Sequence, residues 1–108
     1  MTTRFAGWGL ALVLGLGVTH GADAREIKIA HVYDKTGTLE AYAKQTQNGL
    51  LLGLEYATKG TMTVGNDKLV VIERDNQGKP DVANAQLAAA YSDDNADIAV
   101  GPTASNNA

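Results

Sequence analysis

The sequence predicts an α/β domain built as part of a doubly wound parallel sheet, in the order β-α-β-α-β. Three observations carry that expectation. Ile27–Tyr33, Leu69–Arg74 and Ile98–Gly101 are short runs of strand-forming residues that are apolar on both faces. Strands buried on both sides belong to parallel sheets covered by helices. Two long helix-like segments alternate with them, and each strand ends in a cluster of turn residues.

The elements follow in chain order. Ile27-Lys28-Ile29-Ala30-His31-Val32-Tyr33 is the first strand, and Asp34-Lys35-Thr36-Gly37 the turn after it. Thr38 is placed to cap a helix from about Leu39 to Thr58. Leu39, Ala43, Leu50, Leu54 and Ala57 share one side of that helix, and Gly49 and Gly53 are expected to let it approach another backbone closely. Lys59-Gly60 ends it, with glycine in the position after a helix where a left-handed residue is needed. Met62–Val64 and Leu69–Arg74 flank Gly65-Asn66-Asp67-Lys68, which predicts a short strand turning into a longer one. After the loop Asp75–Lys79, Pro80 suits a first helical turn because its missing N–H costs nothing there. The second helix runs from about Asp81 to Ser92, with Ala83, Leu87, Ala90 and Tyr91 as its packing stripe. Ile98–Gly101 is the third buried strand, and Pro102–Asn107 a loop.

Residues 1–24 read as a secretory signal peptide and not as part of the domain. Arg4 gives a basic start, Phe5–Val18 is uncharged and apolar, and Ala22-Asp23-Ala24 puts small side chains where a signal peptidase requires them. Cleavage after Ala24 is expected. The apolar run is shorter than the roughly 20 residues a spanning helix needs, and Gly7, Gly9, Gly15 and Gly17 interrupt it. The mature product, residues 25–108, is therefore expected in the periplasm and not embedded in the membrane. Removal of the leader takes one base, Arg4, and one acid, Asp23, so the net charge stays at −3. That charge, without a Lys/Arg cluster, argues against nucleic acid as a partner. With no cysteine in the chain, disulfides, thiolate catalysis and thiolate zinc sites are all excluded.

Candidate chemistry is sparse. No glycine-rich dinucleotide fingerprint follows any strand and no phosphate loop is present, so no cofactor is expected. The mature chain has one histidine, His31, so no Ser-His-Asp set and no metal cluster can be assembled, and an enzyme is not expected. His31, inside the first strand, reads as a core or cleft-lining imidazole. Asp34 and Asp75 at strand ends read as turn formers whose carboxylates bond local backbone N–H groups.

Ligands on doubly wound sheets bind beyond the carboxyl ends of the strands, so the loops Asp34–Thr38, Asp75–Lys79 and Gly101–Asn107 carry the interest. Ser105 is expected at the start of a following helix. Its hydroxyl and the free N–H groups there can receive a carboxylate, or it can simply cap the helix; spacing leaves both open. Tyr42, one turn into the first helix, borders the same cleft or packs.

Taken together, Ile27–Val32, Thr36-Gly37-Thr38-Leu39-Glu40-Ala41-Tyr42-Ala43, Leu69–Asp75, Gln77-Gly78-Lys79-Pro80 and Ile98–Ser105 resemble, in order and spacing, the opening of the leucine-binding-protein family. These are type I periplasmic binding proteins that serve ABC importers of branched-chain amino acids and related solutes. The resemblance spans essentially all of residues 26–108 and implies the start of lobe 1 of such a protein. It implies a small carboxylate or amino-acid ligand, an ABC transporter permease as partner of the full-length relative, and no covalent chemistry. Ser105 matches the serine that holds the solute's carboxylate, with Thr103 and Ala104 beside it, and Tyr42 matches an aromatic bordering the bound side chain. Family members have two lobes, so the chain is expected to be a truncated copy that binds weakly alone. A small exported α/β protein that assembles with a partner chain is the alternative.

Overall fold

The computed structural model describes residues 23–108. The predicted leader therefore lies outside the described residues except for Asp23 and Ala24. The elements are β1 (Glu26–Tyr33), α1 (Glu40–Ala57), β2 (Thr63–Val64), β3 (Asp67–Asp75), α2 (Pro80–Ser92), β4 (Ile98–Val100) and a 3-10 turn (Ser105–Asn107). They form one sheet in the order β2-β3-β1-β4. β1 pairs parallel with β3 from Glu26↔Lys68 to Tyr33↔Asp75. On its other side it pairs parallel with β4 from Ile29↔Ile98 to His31↔Val100. β2 and β3 form a short antiparallel hairpin across Gly65-Asn66, a tighter turn than the expected Gly65–Lys68, because β3 already begins at Asp67.

The first strand of the chain is thus the middle strand of the parallel sheet. α1 leads from it to β3 on one side, and α2 returns past it to β4 on the other. Right-handed crossovers in opposite directions put the two helices on opposite faces. Adjacent residues of β1 show this: His31 is hydrogen-bonded to Gln47 of α1, whereas Val32 lines a groove with Ala83 and Leu87 of α2. The buried apolar core is Ile29, Ala30, Val32 and Tyr33 of β1 with Ala43, Leu69, Ala83 and Ala90. Alanine on each helix allows a close seat on the sheet.

α1 departs from expectation at its start and along one side. Its N-cap is Leu39, with no capping side chain, not Thr38. Gly37, at φ +113°, turns the chain so that Glu40 N–H reaches the Gly37 carbonyl at 3.2 Å, and that backbone bond replaces the cap. Ala43 and Gln47 are its buried residues, with Leu50 and Leu54 half-buried beside them. Gly49 is turned about 120° around the helix from Ala43, so Gly49 and Gly53 face open space rather than another backbone. Ala57 is also exposed. The helix ends as predicted, through Lys59 and Gly60 at positive φ, with Gly60 N–H bonded to the Glu55 carbonyl at 2.7 Å.

α2 starts at Pro80 after an extended Lys79, the conformation that a following proline imposes. Ala83 and Ala90 are buried as expected, but Leu87 and Tyr91 are 39% and 48% exposed. The reason is that β4, the strand beneath them, is an edge with no neighbour beyond it among the described residues.

Candidate functional site

Because β1, β3 and β4 are parallel, the loops after their carboxyl ends emerge at one rim of the sheet. The first two loops are clamped by one carboxylate. Asp75 Oδ1 accepts from the backbone N–H groups of Thr36 at 3.1 Å and Gln77 at 2.9 Å, and its Oδ2 accepts from the Thr36 hydroxyl at 2.6 Å. Burial acts to raise the Asp75 carboxyl, but these three donors and nearby Lys35 outweigh it and hold it below the ordinary value. Gly37 completes the clamp, since a Cβ there would lie 3.2 Å from the Gln77 carbonyl oxygen. Asp75 is thus the turn former expected of it.

Asp34 is not. Its carboxylate is 1% exposed, and it accepts from Asn107 Nδ2 at 3.3 and 3.5 Å instead of from local backbone. It lies beside Gly78, where a Cβ would stand in ordinary contact, 3.6 Å from Asp34 Oδ2. Asn76, also fully buried, donates its N–H to the Tyr33 carbonyl at 2.9 Å and accepts from Gly78 N–H at 2.9 Å.

The third loop begins at Gly101, at φ +121°, where a Cβ would stand 2.0 Å from the Val32 carbonyl oxygen. Only glycine lets the chain cross the end of β1 so closely. Beyond it, Thr103 and Ala104 are half-buried and Ser105 is exposed. Thr103 Oγ1 is enclosed and has no hydrogen-bond partner among the described residues. Ser105 opens a turn of three residues, not a helix, bridged by Asn107 N–H to the Ala104 carbonyl at 3.0 Å. Such a turn carries no macrodipole of consequence, so any anion at Ser105 depends on the hydroxyl and individual N–H groups.

Tyr42 stands near the rim end of α1 and is 65% exposed. Thr103, Ala104 and Ser105 are contiguous in one loop; Tyr42 makes no side-chain hydrogen bond to it among the described residues.

His31 lies in the core, 0% exposed. Its Nδ1–H donates to Gln47 Oε1, and its ring stacks on Tyr33 with centroids 4.2 Å apart. The Tyr33 hydroxyl donates to Glu73, which also accepts from Lys35 Nζ at 3.2 Å. Burial and the Glu73 carboxylate push the Tyr33 hydroxyl far above an ordinary tyrosine, while Tyr33 as donor holds Glu73 below its ordinary value. Neither this pair nor the Asp34–Asn107 pair is visible from spacing, because both join residues from different loops or strands. Among the described residues no cluster of three or more His, Asp or Glu side chains could hold a metal.

Under the third loop, on the α2 face, lies an open groove of about 310 Å³ lined by Val32, Ala83, Leu87, Tyr91, Val100 and Asn107, among others. It is mostly apolar and runs to the free edge of β4.

A parallel sheet wound in both directions about its first strand, with three loops gathered at one rim, is the opening architecture of a lobed binding protein. The profile of the periplasmic binding protein family matches residues 26–108, and the chain belongs to that family. An ABC-type branched-chain amino acid transporter protein of Rhodopseudomonas palustris is 62% identical, with a TM-score of 0.74, over 75% of this chain and 22% of its own. A second ABC transporter structure from that organism is also 62% identical with a TM-score of 0.74, over 75% of this chain and 25% of its own. A branched-chain amino acid substrate-binding protein of Streptococcus pneumoniae, solved with isoleucine, is 22% identical with a TM-score of 0.68, over 76% of this chain and 23% of its own. That last likeness shows the fold alone. The chain spans about a quarter of the length of these relatives. No curated protein matches it significantly.

Proposed function

We propose that this chain supplies the first part of lobe 1 of an exported solute-binding protein serving an ABC importer. The solute is a small carboxylate, either a branched-chain amino acid or a related acid or amide, including aromatic ones. The observation that carries this reading is 62% identity to Rhodopseudomonas palustris ABC transporter proteins over three quarters of the chain, joined to a rim where the parallel strands present their loops. Ser105 receives the carboxylate through its hydroxyl and N–H, Thr103 and Ala104 shape the loop around it, and Tyr42 borders the solute's side chain. The mechanism is a population shift from open to closed lobes on binding, with transfer to a permease and no covalent step. Residues 1–24 direct export and are removed.

The test is calorimetric titration of the full-length protein with isoleucine, leucine and benzoate. Micromolar or tighter binding of one of them is expected, and Ser105→Ala is expected to weaken it about tenfold. Residues 25–108 alone are expected to bind none tightly, because contacts from one open side each contribute only about 1 kcal/mol. Mass measurement of the periplasmic product, expected to begin at Arg25, tests the leader. Failure of every solute in the full-length protein would sink the reading.

A second reading, a small exported protein that assembles with a partner chain, is favoured by one observation. Ile98 and Val100 on the edge strand β4 are 51% and 38% exposed, and Val100 also lines the apolar groove. A stable, defined dimer of residues 25–108 in size-exclusion chromatography supports it; a monomer counts against it.

A further inference from the structure

We infer that Asn107 is a positioning residue: its buried amide tethers the Ser105 loop to Asp34 and thereby sets the orientation in which Ser105 meets a solute. The inference rests on the solute-binding reading above and assigns a role to a residue that does not itself touch the solute.

The geometry is specific. Asn107 is 6% exposed and Asp34 1% exposed, and they stand 73 residues apart in sequence. Asn107 Nδ2 donates to both carboxylate oxygens of Asp34, at 3.3 and 3.5 Å. Among the described residues, this side chain makes the only hydrogen bonds between Pro102–Ala108 and the rest of the protein. A buried carboxylate left without donors is costly, so Asp34 holds the amide in place as strongly as the amide holds the loop.

The tether transmits to Ser105 because the turn is internally braced. Asn107 N–H bonds to the Ala104 carbonyl at 3.0 Å, and Ala108 N–H to the Ser105 carbonyl at 3.3 Å. With Asn107 pinned, Ala104 and Ser105 are held in the same short turn. Ser105, being exposed, has no packing of its own to orient it. Asp34 in turn sits at the end of the central strand, the most buried part of the fold. Alongside its packing against α2, the loop is therefore hydrogen-bonded to the core through one side-chain pair among the described residues. Losing the pair lets the loop sample orientations that do not bind, and apparent affinity falls in proportion to the competent fraction.

The test uses the full-length protein with two readouts: amide hydrogen exchange over Gly101–Ala108, and titration with isoleucine and benzoate as probes. Asn107→Ala is expected to speed exchange at Ser105–Ala108 and to weaken whichever probe binds by about tenfold. Asn107→Asp, which sets two carboxylates against each other, is expected to do both more strongly. The exchanged pair D34N/N107D restores an amide-to-carboxylate bond with the polarity reversed, and is expected to recover exchange and affinity. A residue needed only for packing would not be rescued by that swap. Unchanged exchange in Asn107→Ala, or a swap as impaired as Asn107→Asp alone, overturns the inference while leaving the solute-binding reading intact. If neither probe binds the unaltered protein, that reading fails for these solutes, and the exchange measurement alone decides whether the tether holds the loop.

Discussion

The central strand β1 has two parallel neighbours, and the two sides are built unequally. On the β3 side, all of Glu26–Tyr33 is paired in register, and the loops beyond are locked by three hydrogen bonds to Asp75. On the β4 side, pairing covers only Ile29–His31, and the loop beyond packs on α2 with the Asn107–Asp34 pair as its one hydrogen-bonded link to the core among the described residues. Ile29 and Ile98 are register partners, yet Ile29 is 6% exposed and Ile98 51%. The same residue type one strand apart thus sits in two different environments. The β3 side is flanked by a further strand, β2, whereas β4 is an edge among the described residues.

The largest expected effect lies where the weaker side crosses β1. Gly101→Ala puts a Cβ 2.0 Å from the Val32 carbonyl oxygen at a φ of +121°, and about 3–5 kcal/mol of stability should be lost in a denaturant melt. Next comes Ile29→Ala, expected to cost about 3 kcal/mol from lost burial and a residual cavity. Ile98→Ala should cost less than about 1 kcal/mol. A cost for Ile98→Ala equal to that for Ile29→Ala would mean that the β4 edge is covered in solution, and would favour assembly with a partner.

The corresponding glycine on the stronger side should be more forgiving. Gly37→Ala brings a Cβ to 3.2 Å from the Gln77 carbonyl oxygen at φ +113°, and about 1–3 kcal/mol is expected. If it proves costlier than Gly101→Ala, the two sides have been ranked wrongly.

A pH dependence is expected as well. The carboxyls of Asp75 and Glu73 are held below their ordinary values of 3.8 and 4.5. Groups lowered on folding contribute stability that is full above the unfolded value and is lost as pH falls through the folded one. The melting midpoint should therefore drop below about pH 4, and Asp75→Ala should make that acid limb shallower while removing about 1–2 kcal/mol at neutral pH. An acid limb unchanged by Asp75→Ala would show that the clamp contributes nothing.

The features legible in the sequence were those set by neighbours along the chain. Pro80 at a helix start, Lys59-Gly60 at a helix end, a turn beginning at Gly65 and the apolar strands follow from local conformational preference, and their order is enough to imply the parallel sheet; the burial expected of Ile98–Gly101 does not follow, because β4 is an edge strand among the described residues. The missed features were set across the chain. Thr38 is a good cap in isolation, but Gly37 turns the backbone so that Leu39 takes the position. Gly49 and Gly53 permit a close approach that nothing in the described residues makes. Asp34 resembles Asp75 in composition and position, and differs only because Asn107, far along the chain, is there to receive it. At the rim, Ser105, Thr103, Ala104 and Tyr42 were nominated by pattern and resemblance and Asp75 as a turn former, whereas Asn76, Asn107 and the reach of Asp75 across to Thr36 emerge only once the strands are side by side.

The central place of β1 also constrains the order in which the polypeptide can fold. β1 cannot gain its first parallel neighbour until Lys68 and beyond have emerged, nor its second until Ile98 has. Its apolar residues thus wait longest of all for cover, and closure proceeds outward from the oldest strand in two separated steps. A nascent chain of this design stays open while it is short, and exposes the apolar residues of β1 to chance encounters until both flanks arrive.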